Sequence, residues 1–357
     1  MAPGLNAIAF IRDDKYRSAM ANPILVEVTR GETVESVHRG AIAIADARGK
    51  IVFSLGEIDT PVFPRSSLKM VQALPLVESG AADAFGLTSE HIALACASHS
   101  GESMHTERAA AWLAKIGCAE SDLACGAHPS RVESIAEAMI KRGEKPTRIF
   151  NNCSGKHTGF LTVCRHWDVA VNGYEKHDYP VQVAVARALG ELSGVGGELP
   201  YGVDGCVAPA FALPIAAFAR ALAKFADPSL LAKPRADAMA RITAAMIAHP
   251  ELVAGTGRID TVLMRAAKGR VAIKAGAEGY FAAIVPETGL GIAMKVDDGA
   301  SRASETMIAA VLDKLGLVPD EKEAREFLRA PIRNTRNEIV GERRPAPALA
   351  GADIAAL

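Results

Sequence analysis

Tyr280-Phe-Ala-Ala-Ile-Val285, Pro286-Glu-Thr-Gly289 and Leu290-Gly-Ile-Ala-Met-Lys-Val296 read as strand, turn and strand. Both runs are apolar and rich in strand formers, and a turn this short joins only antiparallel neighbours. A second group of such runs lies at the other end of the chain: Ile24 to Thr29, Val34 to His38, Ala41 to Ala45 and, after a turn at Asp46 to Lys50, Ile51 to Phe53. Between the two groups the apolar period is helical. The spacing predicts helices over Ser67 to Glu78, Ser89 to Ser98, Met104 to Ile116, Val132 to Arg142, Lys156 to His166, Pro180 to Leu192, Leu213 to Phe225 and Pro234 to His249, with one more over Ser301 to Leu315. Strands at both ends with helices between predict a single α+β unit. Its antiparallel sheet combines N- and C-terminal strands, is flanked by helices and encloses a helical insertion. Residues 21–330 form this unit, 1–20 a leader, and 331–357, with Arg343-Arg-Pro-Ala-Pro-Ala348 and little periodicity, a Pro/Ala-rich tail that is poorly ordered or clasps a partner.

Composition narrows the function. The 357 residues carry 40 Lys plus Arg against 41 Asp plus Glu, so binding by phosphate neutralisation is disfavoured and nucleic acid is not an expected partner. Apolar residues at 49% supply a sizeable core, while aromatics at 5% are too few for a platform that stacks bases or glycans, which leaves small polar substrates. The richest apolar stretch, Val207 to Ala223, is broken by Pro209, Pro214 and Arg220, so no membrane span is expected. Ala7 to Ile11 is too short for a secretory signal, and six dilute cysteines suit a reducing compartment; the chain reads as cytoplasmic.

Pro64-Arg65-Ser66-Ser67-Leu68-Lys69 places a serine at a helix start with a lysine one turn along. A neutral lysine there can deprotonate the hydroxyl, and the helix N-terminus favours an oxyanion. With 18 serines and 15 lysines, about one Ser-x-x-Lys match arises by chance, so the motif decides nothing alone and Ser66 or Ser67 serves equally as an N-cap. Two further elements follow in chain order: the serine-rich turn Ala97-Ser98-His99-Ser100-Gly101 and Lys274-Ala-Gly276, read as preceding a late strand. Lys274 near Lys69 disfavours the charge of both amines.

Asn151-Asn-Cys153-Ser-Gly-Lys156-His157-Thr-Gly159 is the densest cluster of reactive side chains. It is not a phosphate loop, because Phe150 stands where the first glycine is needed and His157 where a Ser or Thr must follow the lysine. Cys153 and His157, spaced i, i+4, suit a metal, with Cys206 of Gly202-Val-Asp204-Gly-Cys206 as a further thiolate; buried thiols are the competing account. Glu278, with glycines nearby on both sides, is placed to hold an ammonium group or is a solvated turn carboxylate.

Together these five motifs resemble the Rhizobium-type L-asparaginases across roughly positions 20 to 330. That family is similar in fold to serine β-lactamases, penicillin-binding proteins and serine glutaminases. The resemblance implies a nucleophilic Ser66 with Lys69, a second pair Ser98 and Lys274, and a metal site of Cys153, Lys156 and Cys206, with zinc positioning substrate or holding structure and no organic cofactor. It further implies L-asparagine as substrate and a homodimer. Arg65, Asp204 and Glu278 are assigned by charge to the α-carboxylate and α-amine, and His157 and Asp204 adjoin the metal ligands. The competing functions are another serine-lysine amidohydrolase (glutaminase, β-lactamase-like or D-Ala peptidase) and a non-catalytic metal-binding scaffold.

Overall fold

The computed structural model describes residues 22–318 and 322–357, so the leader lies outside the described residues. Eight strands form one antiparallel sheet: β1 (Ile24–Arg30), β2 (Thr33–Ala45), β3 (Ile51–Leu55), β4 (Ala272–Ala275), β5 (Tyr280–Val285), β6 (Leu290–Val296), β7 (Ala330–Arg333) and β8 (Ile339–Pro345). Their order is β7-β8-β1-β2-β6-β5-β4, with β3 also pairing β2. The two chain ends meet at β2 and β6, in the register Ile42 to Met294 and Ile44 to Ile292. The α+β class with a mixed N- and C-terminal sheet therefore holds. Val34 to His38 and Ala41 to Ala45 are halves of one long β2, whose first half pairs β1 and whose second half pairs β6.

The helices that matter for the site are α1 (Lys69–Gln72), α2 (Ser89–Ala95), α3 (Ser154–His166), α4 (Ile215–Ala226), α5 (Ile259–Ala266) and α6 (Ser301–Lys314). Both α4 and α6 pack on β5 and β6, so those strands are buried almost throughout and read as continuous apolar runs. The approach of α4 depends on Gly291, where a Cβ would stand 2.0 Å from the Ala223 nitrogen. The helix expected over Ser67 to Glu78 is split into a 3-10 turn (Arg65–Leu68), α1 and a short helix (Leu74–Glu78). Pro75 lacks the N–H that would continue the ladder.

The tail needs correction. Residues beyond 330 are not a loose appendage, because β7 and β8 form a hairpin and β8 pairs β1 in the register Val26 to Pro345 and Val28 to Arg343. The arginines that masked the strand pattern are engaged: Arg343 bonds Thr306 and pairs with Glu305, and Arg344 pairs with Glu27.

Candidate active site

Arg65 has φ +53°, a left-handed conformation that costs on the order of 1–2 kcal/mol for a residue with a side chain. Ser66, next in the 3-10 turn, is half-buried and lines a narrow cavity with Arg65, Lys69, Cys153, Lys156, Asp204 and Cys206. Ser67 is buried and donates to the Lys274 carbonyl at 2.9 Å, tying the turn to β4. Gly276 makes that contact possible, since a Cβ there would lie 2.5 Å from the Pro64 carbonyl oxygen.

Lys69 projects inward from α1. Its buried Nζ donates to the Ala97 carbonyl, to Ser98 Oγ at 3.0 Å and to Cys153 Sγ at 3.1 Å. The Ser98 loop is fixed at its backbone, with Ser98 N donating to Val253 and His99 N to Asn152. His99 accepts the Gly101 N–H at Nδ1, which leaves Nε2–H to donate to Ser154 Oγ at 2.8 Å. Burial, then His105 and Lys69, hold this imidazole neutral, well below its usual pKa.

Cys153 is the N-cap of α3. Helix α3 lies against α2 through Gly155, where a Cβ would meet the Leu94 carbonyl oxygen at 2.3 Å. Cys206 comes from the turn of the hairpin Tyr201–Val203 and Pro209–Phe211, beside Val207 at φ +66°. A hydrogen bond from Cys153 and the Lys156 ammonium, 2.9 Å away, draw Cys206 down to about 5 against the effect of burial, making it a thiolate. Cys153 is pushed up to about 12, first by its bond to Cys206 and then by burial. Burial opposes the charge of Lys156, but the two sulfurs outweigh it and raise its pKa. Asp204 pairs with Arg65 at 2.7 Å; burial opposes its charge, and Arg65 and Lys156 hold it below the usual carboxylate range.

Residues 26–345 match the model of a family described as L-asparaginase II. The chain belongs to that family. No curated protein sequence matches it. Among solved structures it is similar to Mglu in its native form, at 14% identity and a TM-score of 0.44 over 80% of this chain and 66% of that one, just under two thirds of its length. It is also similar to a β-lactamase from Mycobacterium bovis, at 13% identity and a TM-score of 0.41 over 74% of this chain and 89% of that one. Both likenesses are loose, and the sheet topology stands on the strand pairings themselves. Among the described residues no helix is long and apolar enough to cross a membrane.

Within this family member Ser66, Lys69, Cys153, Lys156, Cys206, Arg65 and Asp204 share one cavity, and Ser98 lies directly behind Lys69. The serine-lysine pairs are regrouped: among the described residues no hydrogen bond joins Ser66 Oγ to Lys69 Nζ, and Lys69 bonds Ser98 instead. Lys274 sits inside β4 rather than ahead of a strand, with Nζ donating to its neighbour's carbonyl, Ala275 O, at 2.8 Å. Burial draws it down to about 7; Asp260 opposes this, and Lys69, Arg258 and Arg131 reinforce it. Four assigned residues lie outside the cavity wall: Ser98, Lys274, His157 and Glu278. His157 is buried with Nδ1 on the Tyr174 hydroxyl at 2.7 Å, and Glu278 is an exposed turn residue at φ +58° that reaches Arg65 only through its field. Among the described residues no group of three His, Cys, Asp or Glu is arranged for a metal. The candidate donors are instead two sulfurs and an amine, a nitrogen-sulfur set that suits zinc once Lys156 gives up its proton.

The sequence reading missed Asp260, the Ala97 carbonyl and the Ser67 bond, none of which has a motif to announce it. A larger open groove, about 700 Å³ between His177 and Phe211, has no Ser, Thr, Cys or Lys in its walls and so lacks a hydroxyl, thiol or amine nucleophile.

Proposed function

We propose that the chain hydrolyses L-asparagine to L-aspartate and ammonia through an acyl-enzyme on Ser66. The observation that carries this reading is the convergence of Ser66 and Lys69 on one cavity, with Ser98 hydrogen-bonded to the same amine at 3.0 Å. Access chooses between the serines: Ser66 lines the cavity, whereas Ser98 is buried behind Lys69.

Lys69, which acts as base once it has passed one of its three donated protons to Ser98, takes the proton of Ser66 as Ser66 Oγ attacks the side-chain amide carbon. The Ser66 N–H steadies the oxyanion. As the C–N bond breaks, the amide nitrogen takes a proton relayed through Ser98, with Lys274 as the proton store, and leaves as ammonia. Water then adds to the ester, its proton returns to Ser66, and aspartate departs. Arg65 and Asp204 pair with the α-carboxylate and α-amine after exchanging their mutual contact. Cys153, Lys156 and Cys206 would hold zinc, which supplies a fixed positive charge to orient the ligand.

Ser98 is the rival nucleophile, favoured by its bond to Lys69. Ammonia release from asparagine, glutamine and a chromogenic β-lactam, measured side by side in wild type, Ser66→Ala and Ser98→Ala, separates the readings. A Ser66→Ala variant that still forms an acyl-enzyme would transfer the nucleophile role to Ser98, and turnover of the β-lactam alone would overturn the substrate.

A further inference from the structure

Asp260 enters the site from the first turn of α5 and is fully buried, as is Lys274. Its Oδ1 accepts the Ala275 N–H at 2.7 Å and stands 4.0 Å from Lys274 Nζ, which itself donates to the Ala275 carbonyl at 2.8 Å. Carboxylate and amine are thus pinned to the same residue, Ala275, one at its N–H and the other at its carbonyl. The other oxygen, Oδ2, is buried without a hydrogen-bond partner among the described residues. An apolar residue would fill this joint between α5 and β4 without stranding a carboxylate oxygen, so packing alone does not account for an aspartate here.

The surrounding charges do account for it. Lys274 is faced by Lys69 from α1, Arg258 at the N-cap of α5 and Arg131 from the loop bonded to Ser100, all cationic. The Cys96 thiol also faces it, pushed up to about 12 by burial and therefore uncharged. Asp260 is the one anion acting on Lys274 among these groups. Burial and three cations disfavour a proton on Lys274, and the aspartate alone opposes them.

We propose that Asp260 is a positioning residue for Lys274: its anchored, buried carboxylate holds the amine at Ala275 in β4 and keeps it able to carry a proton. The proposal rests on the reading of Lys274 as proton store. Asp260 itself does not touch substrate.

The test is NMR of protein carrying 13C,15N-lysine, with the Lys274 resonance assigned by its absence in Lys274→Arg. In Asp260→Asn, which keeps an oxygen for the Ala275 N–H, the Lys274 midpoint should fall by at least about one pH unit, a tenfold loss of proton affinity. The Lys274-dependent limb of the pH profile should move to lower pH with it, and kcat should fall more than KM rises. Asp260→Glu should restore most of both. An unchanged midpoint in a folded Asp260→Asn protein overturns the proposal. If the neutral variant does not fold, 13C-aspartate labelling of the wild type decides: the Asp260 carboxyl resonance should inflect at the Lys274 midpoint, and a flat response overturns it. The midpoint is read without substrate, so an enzyme that ignores asparagine would sink the functional reading and leave this one standing.

Discussion

Lys69 Nζ donates to Ser98 Oγ at 3.0 Å although the two residues come from different elements, α1 and the loop after α2. The bond places a hydroxyl behind the amine while Ser66 stands in front of it, so a proton taken from Ser66 has a route onward. Ser66→Ala and Lys69→Met should each lower kcat for ammonia release by about a thousandfold or more, and the double variant should fall little further, because the two act as one unit. Additive losses would deny that coupling.

The sulfur-amine cluster predicts a metal dependence. Wild-type protein expressed with zinc should carry about one ion per chain by atomic emission, and Cys153→Ser and Cys206→Ser should carry less than about a tenth of that. Stripping with chelator should release the Lys156 and Cys206 pair to its direct contact at 2.9 Å and lower turnover. Equal zinc in wild type and both variants would remove the site.

How much of this was legible follows from where each signal resides. The β5 and β6 runs were read to the residue, because strands covered on both faces carry uninterrupted apolar sequence. β8 was missed because Arg343 and Arg344 interrupt its apolar pattern and find their partners, Glu305 and Glu27, only through the fold. The same division runs through the site. Ser66 and Lys69 are three apart in sequence and share a visible motif, whereas Asp260 meets Lys274 across fourteen positions, with nothing local to mark it. The pairing of Lys69 with Ser98 rather than Ser66 depends on side-chain direction from α1, which spacing does not encode.

Glycine contacts set the site's geometry, and they can be tested apart from chemistry. A Cβ at Gly155 would stand 2.3 Å from the Leu94 carbonyl oxygen, and one at Gly276 2.5 Å from the Pro64 carbonyl oxygen, both rigid backbone atoms. Gly155→Ala and Gly276→Ala should each cost about 1–3 kcal/mol in urea unfolding, while Gly126→Ala, with nothing within 4 Å, should be silent. Gly276→Ala should also reduce turnover at least tenfold, since it pushes β4 from the Ser66 turn. Normal kinetics in that variant would detach β4 from the catalytic arrangement.

Arg65 and Asp204 close the cavity over Ser66 at 2.7 Å, leaving room for about one water, some 10 Å³. The proposed substrate is larger than this space, and the expected route of entry is displacement of the hairpin Tyr201–Val203 and Pro209–Phe211. The pair is partly solvent-exposed, so it is worth no more than about 1 kcal/mol and is weak enough to break on each cycle. Arg65→Ala should raise amide hydrogen exchange across residues 201–211 in the free protein severalfold. If exchange there is unchanged, entry runs through another segment.

Stability should depend on pH through Lys274. An unfolded lysine titrates near about 10.4, whereas burial, against Asp260, brings the folded group down to about 7. Between those values the unfolded chain binds more protons, so the stability linked to this group rises with pH; below about 7 both states are protonated and the penalty is full and constant. Comparison with Lys274→Met by urea unfolding between roughly pH 7 and 8.5 isolates the effect, because the thiols that also titrate there, Cys206 in the same sense and the thiols with raised pKa in the opposite one, are common to both proteins. Over that interval wild type should gain about 1–2 kcal/mol relative to Lys274→Met, whose own curve lacks the term. Parallel curves would mean that Lys274 keeps its charge in the folded protein, and the proton store would then have to be sought in Lys69 alone.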